Sequence, residues 1–193
     1  MQTERQIQIV DTAIDIISEK GIQGLTIKNI AKEIGISEPA IYRHFESKTA
    51  IVLAILNNFE EMASFMNEAI VEMQASAFEK IDFLFSKIVD IFSEEPSHIS
   101  VVFSEEIFKN DIVLRNKIVS IMEQKALAVE NIIKKGQEMS EIRTDVDCKT
   151  LAHMVMGSLR FMIKQWDLKN QHQNLKEEGR QLTQGLKQVL KGG

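Results

Sequence analysis

A chain of 193 residues can bury a sizeable core in one or two domains, and 44% hydrophobic with 26% charged content is ordinary for a globular protein. The formal net charge of −5 excludes binding of nucleic acid by bulk positive charge, so such contact must come from the placement of a few side chains. The lone Cys148 excludes an internal disulfide and fits a reducing cytoplasm.

The opening MQTERQ lacks a basic stretch leading into an apolar run, so no signal peptide is expected. The longest fully apolar run, Ala50–Leu56, is far short of the roughly 20 residues that span a bilayer, so no membrane partner is expected either. Apolar residues recur at spacings of three and four nearly throughout, which predicts an all-α protein of about nine helices. The first runs from Thr3 to Lys20, with Val10, Ala13, Ile14 and Ile17 on one face and Gly21 past its end. A second, shorter helix carries Ile27, Ile30, Ala31 and Ile34 on one face. Thr26 stands at its N-cap, and Gly35 is placed to end it with positive φ. Ser37 then caps a third helix, with Pro39 in the first turn, where a missing N–H costs little. There Ile41 and Phe45 share the inward face, which directs Glu38, Ala40, Tyr42, Arg43 and His44 elsewhere. A helix-turn-helix that buries so little of its second helix and shows a donor-rich face is suited to reading DNA.

Ser47 caps a long fourth helix from Lys48 to about Gln74, too long for the small unit before it. The expected division is therefore a DNA-binding domain over 1–47 and a helical bundle over 48–193. The bundle's further helices are predicted over Phe78–Phe92, Ser97–Phe108, Asp111–Met139, Asp147–Leu168 and Leu175–Leu190, the first stopping before Pro96.

No catalytic constellation is legible. His98, His153 and His172 lack partners at metal-ligand spacing, and neither a glycine-rich phosphate loop nor a nucleophile elbow occurs. No enzyme, no metal and no cofactor are expected.

The pattern Thr26-Ile27-x-x-Ile30-Ala31-x-x-Ile34-Gly35-Ile36-Ser37-x-x-x-Ile41-Tyr42-x-His44-Phe45-x-Ser47-Lys48, followed by a long helix and an all-α remainder, resembles the TetR family of transcriptional regulators. The specific part covers only about the first 50 residues; the rest agrees in helix number and length. The resemblance implies a homodimer whose two heads meet the half-sites of a roughly palindromic double-stranded DNA operator. It implies repression as the default action, and a bundle cavity where a small molecule binds and changes the separation of the heads.

Within that frame Arg43 is the candidate base reader, because a guanidinium can bridge O6 and N7 of guanine; the alternative is a solvated surface arginine. Tyr42 and Lys48 match family positions that touch phosphate, although Tyr42 could instead prop the first helix. Thr26 and Lys28 are candidates for holding the DNA backbone, Thr26 also as a cap. Ser37 and Ala40 sit on the same reading segment. His44 is either a phosphate or base contact or a structural residue. Glu38 repels phosphate, so it either turns away or accepts from a cytosine amine.

The methionines and phenylalanines of the bundle suit an adaptable apolar pocket for a small hydrophobic ligand, though such residues at helical spacing also make plain core. Candidate lining residues are Phe59, Met62, Met66, Phe85, Phe103, Met122 and Phe161. The last two helices should form the dimer interface, through Leu151, Val155, Gly157, Ser158 and Met162 of one and Leu182 and Leu186 of the other. A role in packing within one chain remains the alternative for these residues. Three functions compete: a ligand-released repressor, a DNA-bound adaptor of the nucleoid-occlusion type that acts on a division protein, and a ligand-binding protein without DNA activity.

Overall fold

A computed structural model describes residues 2–109 and 111–191. Among the described residues there are ten helices and no strand: α1 (Glu4–Gly24), α2 (Ile27–Ile34), α3 (Glu38–Tyr42), α4 (Lys48–Glu72), α5 (Ala77–Glu94), α6 (Ser97–Val102), α7 (Glu105–Lys109), α8 (Ile112–Glu138), α9 (Cys148–Leu168) and α10 (Leu175–Lys191). None of these is long and apolar enough to cross a membrane. The sixth predicted helix is two short pieces, α6 and α7.

The helix boundaries follow local chemistry. Thr3 and Gln6 form a reciprocal capping box that starts α1. The helix loses its regular path at Gly21, whose φ of 65° lies in the left-handed region that only glycine adopts without strain. Ser76 and Glu79 make a second capping box at α5, and Asp147 accepts from the Thr150 N–H to start α9. Asp111 does the same for α8, accepting from Val113 and Leu114.

By internal contacts the chain forms two units. The first comprises Met1–Met62 and Ser97–Ser120, the second Ala63–Pro96 and Ile121–Gly193. This differs from the expected cut at residue 48, because residues 97–120 join the N-terminal unit. There α6 packs on α1, the Thr49 hydroxyl donates to Asp111 at 2.8 Å, and Lys117 pairs with Glu60 at 2.5 Å. Such long-range pairings leave no trace in helical periodicity.

The core of the first unit is built from the inward faces of α1 and its neighbours: Ile9, Val10, Ile17, Leu25, Ile30 and Ile41 are all buried. In the second unit α10 packs on α5 and α9. A methyl on Gly179 would lie 2.9 Å from Val89 Cγ2, so that glycine sets how closely α10 lies on α5. Gly136 is tighter still: a Cβ there would lie 2.7 Å from Ala77 Cβ. At the same junction Glu141 accepts from the Ala77 N–H at 2.6 Å, which satisfies a free donor at the start of α5.

Candidate DNA-reading head, cavity and outer face

In the first unit, α2 and α3 are joined by a turn through Gly35, which has φ 76° and whose N–H reaches back to the carbonyls of Ala31 and Lys32. Ile41 is fully buried and Phe45 nearly so, which anchors the short α3 from below. Their neighbours are turned out. Tyr42 is 53% exposed, and Lys28, Glu38 and Arg43 are exposed as well, while Ala40 and His44 are half-buried. The Arg43 guanidinium, the Lys28 ammonium and the Tyr42 hydroxyl make no hydrogen bond or ion pair with any described residue. Tyr42 therefore does not prop α1 through its hydroxyl.

Thr26 does cap α2, its hydroxyl accepting from the Asn29 N–H at 3.1 Å. Ser37 occupies the N-cap of α3 but makes no side-chain cap bond, contrary to the expectation. Its carbonyl accepts instead, from the N–H groups of Ala40 and Ile41, which leaves its exposed hydroxyl available. Lys48 reaches back to the Ile22 carbonyl at 3.4 Å, and Gln6 donates to the His44 carbonyl at 3.4 Å. The head thus presents free donors from α2, the turn and α3 on rigid helical supports.

The second unit contains a cavity of about 20 Å³, room for roughly one water. Met66 and Ile70 of α4, Leu84 and Ile88 of α5, Val129 of α8 and Met156 of α9 are among its walls. Of the residues expected to line a pocket, Met66 alone lies there. Phe85 is 1% exposed and packs in the core instead. Met122 and Phe161 project outward, and Phe59, Met62 and Phe103 belong to the first unit, where Phe59 meets the His98 ring edge-on. Two polar residues that share the cavity, Asn67 and Lys125, were not among the candidates. The signal for Lys125 was present: it falls in register with Ile121, Val129 and Ile132, a charged residue on the buried stripe of α8.

The outward faces of α9 and α10 also depart from the expectation. Leu151, Val155, Met162 and Leu186 are buried within the chain itself, in a unit where α9 and α10 pack on each other and on α5. The exposed stripe of α9 is instead Met154, Gly157, Ser158, Phe161 and Leu168, with Ser158 half-buried. On α10 the half-buried Leu182 and the exposed Gly185 and Val189 lie outward. A Cβ at Gly157 or Gly185 would meet nothing within 4 Å, so both glycines leave room for an approaching backbone. Among the described residues no group of His, Cys, Asp and Glu could hold a metal ion.

Comparison with known proteins covers both the head and the helices that follow it. A family model described as bacterial regulatory proteins, tetR family, matches residues 9–55, and one described as YsiA-like protein, C-terminal region, matches residues 57–191. A fatty acid metabolism regulator protein of Bacillus subtilis is 25% identical over 89% of this chain and 88% of its own. The nucleoid occlusion factor SlmA of Mannheimia succiniciproducens is 25% identical over 77% of this chain and 69% of its own. Two solved structures share the fold. FadR of Bacillus subtilis in complex with stearoyl-CoA has a TM-score of 0.81 at 24% identity, over 93% of this chain and 96% of its own. FadR of Bacillus halodurans has a TM-score of 0.87 at 19% identity, over the full length of both chains.

Proposed function

The chain belongs to the tetR family of bacterial regulatory proteins, a family of DNA-binding transcriptional regulators, and from that premise we propose that it acts in the cytoplasm as a homodimeric repressor released by an acyl-chain ligand. The observation that carries the DNA reading is the set of exposed, unpartnered donors at Lys28, Ser37, Tyr42 and Arg43 on a buried anchor of Ile41 and Phe45. Arg43 reads a base edge. Lys28, Tyr42 and Lys48, with the Thr26 and Ser37 hydroxyls, hold phosphates and fix the register. His44 and Ala40 flank that surface. Glu38 disfavours phosphate beside it and so restricts which way the head can sit.

Two such heads on a two-fold axis fit half-sites spaced by about one helical turn, 34–36 Å. The exposed stripe of α9 and α10 supplies the apolar surface for that pairing. An acyl-chain ligand is supported by the apolar lining of the cavity and by the name of the Bacillus subtilis relative. Because the cavity holds so little free volume, a chain enters it only by displacing its walls, two of which are α4 and α8. Both helices also carry residues of the first unit, and α4 begins at Lys48, just after the reading segment, so ligand entry acts on helices shared with that unit.

The test is fluorescence anisotropy of the purified dimer on DNA flanking its own gene, with and without palmitate and palmitoyl-CoA. Saturable binding reversed by at least one of the two is expected. A dimer that binds no DNA would overturn the repressor reading.

The likeness to the SlmA protein supports a second reading, a DNA-bound adaptor that acts on another protein. It predicts many dispersed chromosomal sites and no response to acyl ligands, where the repressor predicts a few sites and release.

A further inference from the structure

Lys125 lines the cavity of the second unit, and among the described residues its ammonium has no partner. It is half-buried on the inward stripe of α8. Burial strips water from the charged form and pushes its pKa below the ordinary lysine value. No aspartate or glutamate lines the cavity. The only other polar lining residue is Asn67 of α4, half-buried, whose side-chain amide is also without a partner. All remaining walls are alanine, methionine, isoleucine, leucine or valine.

Such a composition narrows the ligand. An ammonium offers only donors, and an amide offers an N–H donor beside it. A neutral apolar guest would remove the remaining water from Lys125 and give it nothing in return, which is costly for a charge. A guest ending in a negatively charged oxygen turns the same burial into an advantage, because a charge-assisted hydrogen bond strengthens as water leaves.

We propose, resting on the reading that the protein answers to an apolar ligand, that this cavity takes an amphiphile ending in a carboxylate. Lys125 Nζ and Asn67 Nδ2 donate to the carboxylate, and Met66, Ile70, Leu84 and Met156 hold the adjoining chain. The free acid is therefore preferred over the alcohol or a thioester, which present a neutral oxygen at that point. The two methionines are unbranched and flexible, so they are the walls that give way when the chain enters.

The full-length protein, titrated with dodecanoate, dodecanol and dodecanoyl-CoA by displacement of a fluorescent fatty-acid probe, tests this. Dodecanoate should bind more tightly than dodecanol, and Lys125→Met should weaken dodecanoate by about 10- to 100-fold while leaving dodecanol within about threefold. Lys125→Arg should keep the preference for the acid. Lys125→Met should also raise the thermal midpoint without ligand, because it removes an unpaired cation. Equal binding of acid and alcohol by the unaltered protein, or acid binding indifferent to Lys125→Met, would overturn the proposal and leave ligand-released repression standing. Failure of all three compounds to bind would also overturn the proposal, while the release of DNA by palmitate or palmitoyl-CoA tests the underlying reading separately.

Discussion

Phe161 and Met162 are neighbours in sequence and opposites in role, which makes them a sharp test of the dimer face. Phe161 is 68% exposed and Met162 is 8% exposed. With roughly 200 Å² of surface on a phenylalanine side chain, about 140 Å² of Phe161 faces outward. Covered by a second copy at about 25 cal/mol/Å², that area stabilises association by ~3 kcal/mol per protomer. Phe161→Ala removes about two-thirds of it, and a two-fold interface loses it twice, so the dimer should weaken by ~4 kcal/mol, about a thousandfold in Kd. The fold of each chain should be untouched, since the ring packs against little within it. Met162→Ala should do the reverse, destabilising the fold by about 2–5 kcal/mol in urea while the surviving folded chains associate as before. Sedimentation across a dilution series, paired with urea unfolding followed by circular dichroism, separates the two. If Phe161→Ala leaves the dimer constant within threefold, or Met162→Ala dissociates the dimer with its unfolding midpoint intact, the face has been assigned to the wrong side of α9.

Three further outcomes follow from the same structure. Arg43→Ala should weaken operator binding by ~1–3 kcal/mol, roughly 10- to 100-fold by anisotropy, with an unchanged thermal midpoint because the guanidinium has no internal partner; undiminished affinity would remove it as a reader. Gly136→Ala should lower stability by about 1–3 kcal/mol in urea, since its methyl meets Ala77 Cβ and Ile142 Cδ1 at 2.7 Å; an unmoved midpoint would contradict that close approach. Glu177 is held at a pKa of about 2, first by the hydrogen bond from Arg180 and then by that from Gln181. Its folded value lies below the ordinary 4.5, so its stabilising contribution is complete above about pH 4.5 and fades as the pH falls through about 2. An NMR titration should show this, and Arg180→Ala should return the carboxyl toward 4.5.

Much of the first unit was legible because its signals are local. Apolar spacing marked α1 and α2, Gly21 and Gly35 stand where the backbone turns left-handed, and Ile41 with Phe45 define the buried side of the reading segment. The second unit was harder for a physical reason. Helix α9 is apolar around most of its circumference, so Leu151, Val155 and Met162 on one side and Met154, Phe161 and Leu168 on the other look equally suited to a partner. Only the placement of α5 and α10 decides which side is already occupied. Phenylalanine and methionine content likewise says that a core is adaptable, not where it is hollow, whereas a charge on a buried stripe, as at Lys125, does mark the place. The division of the chain also depended on distant partners, Thr49 with Asp111 and Glu60 with Lys117.

The sparse charge of the reading head has a consequence for how the protein searches a chromosome. Its first 50 residues carry six basic and seven acidic side chains, so they have no net positive charge. Few counterions are therefore expelled when the head touches random sequence, so dwell times there are short and sliding along the duplex is brief. Occupancy of the right sequence then rests on groove contacts rather than on ion release, and should vary less with ionic strength than in regulators with strongly basic heads.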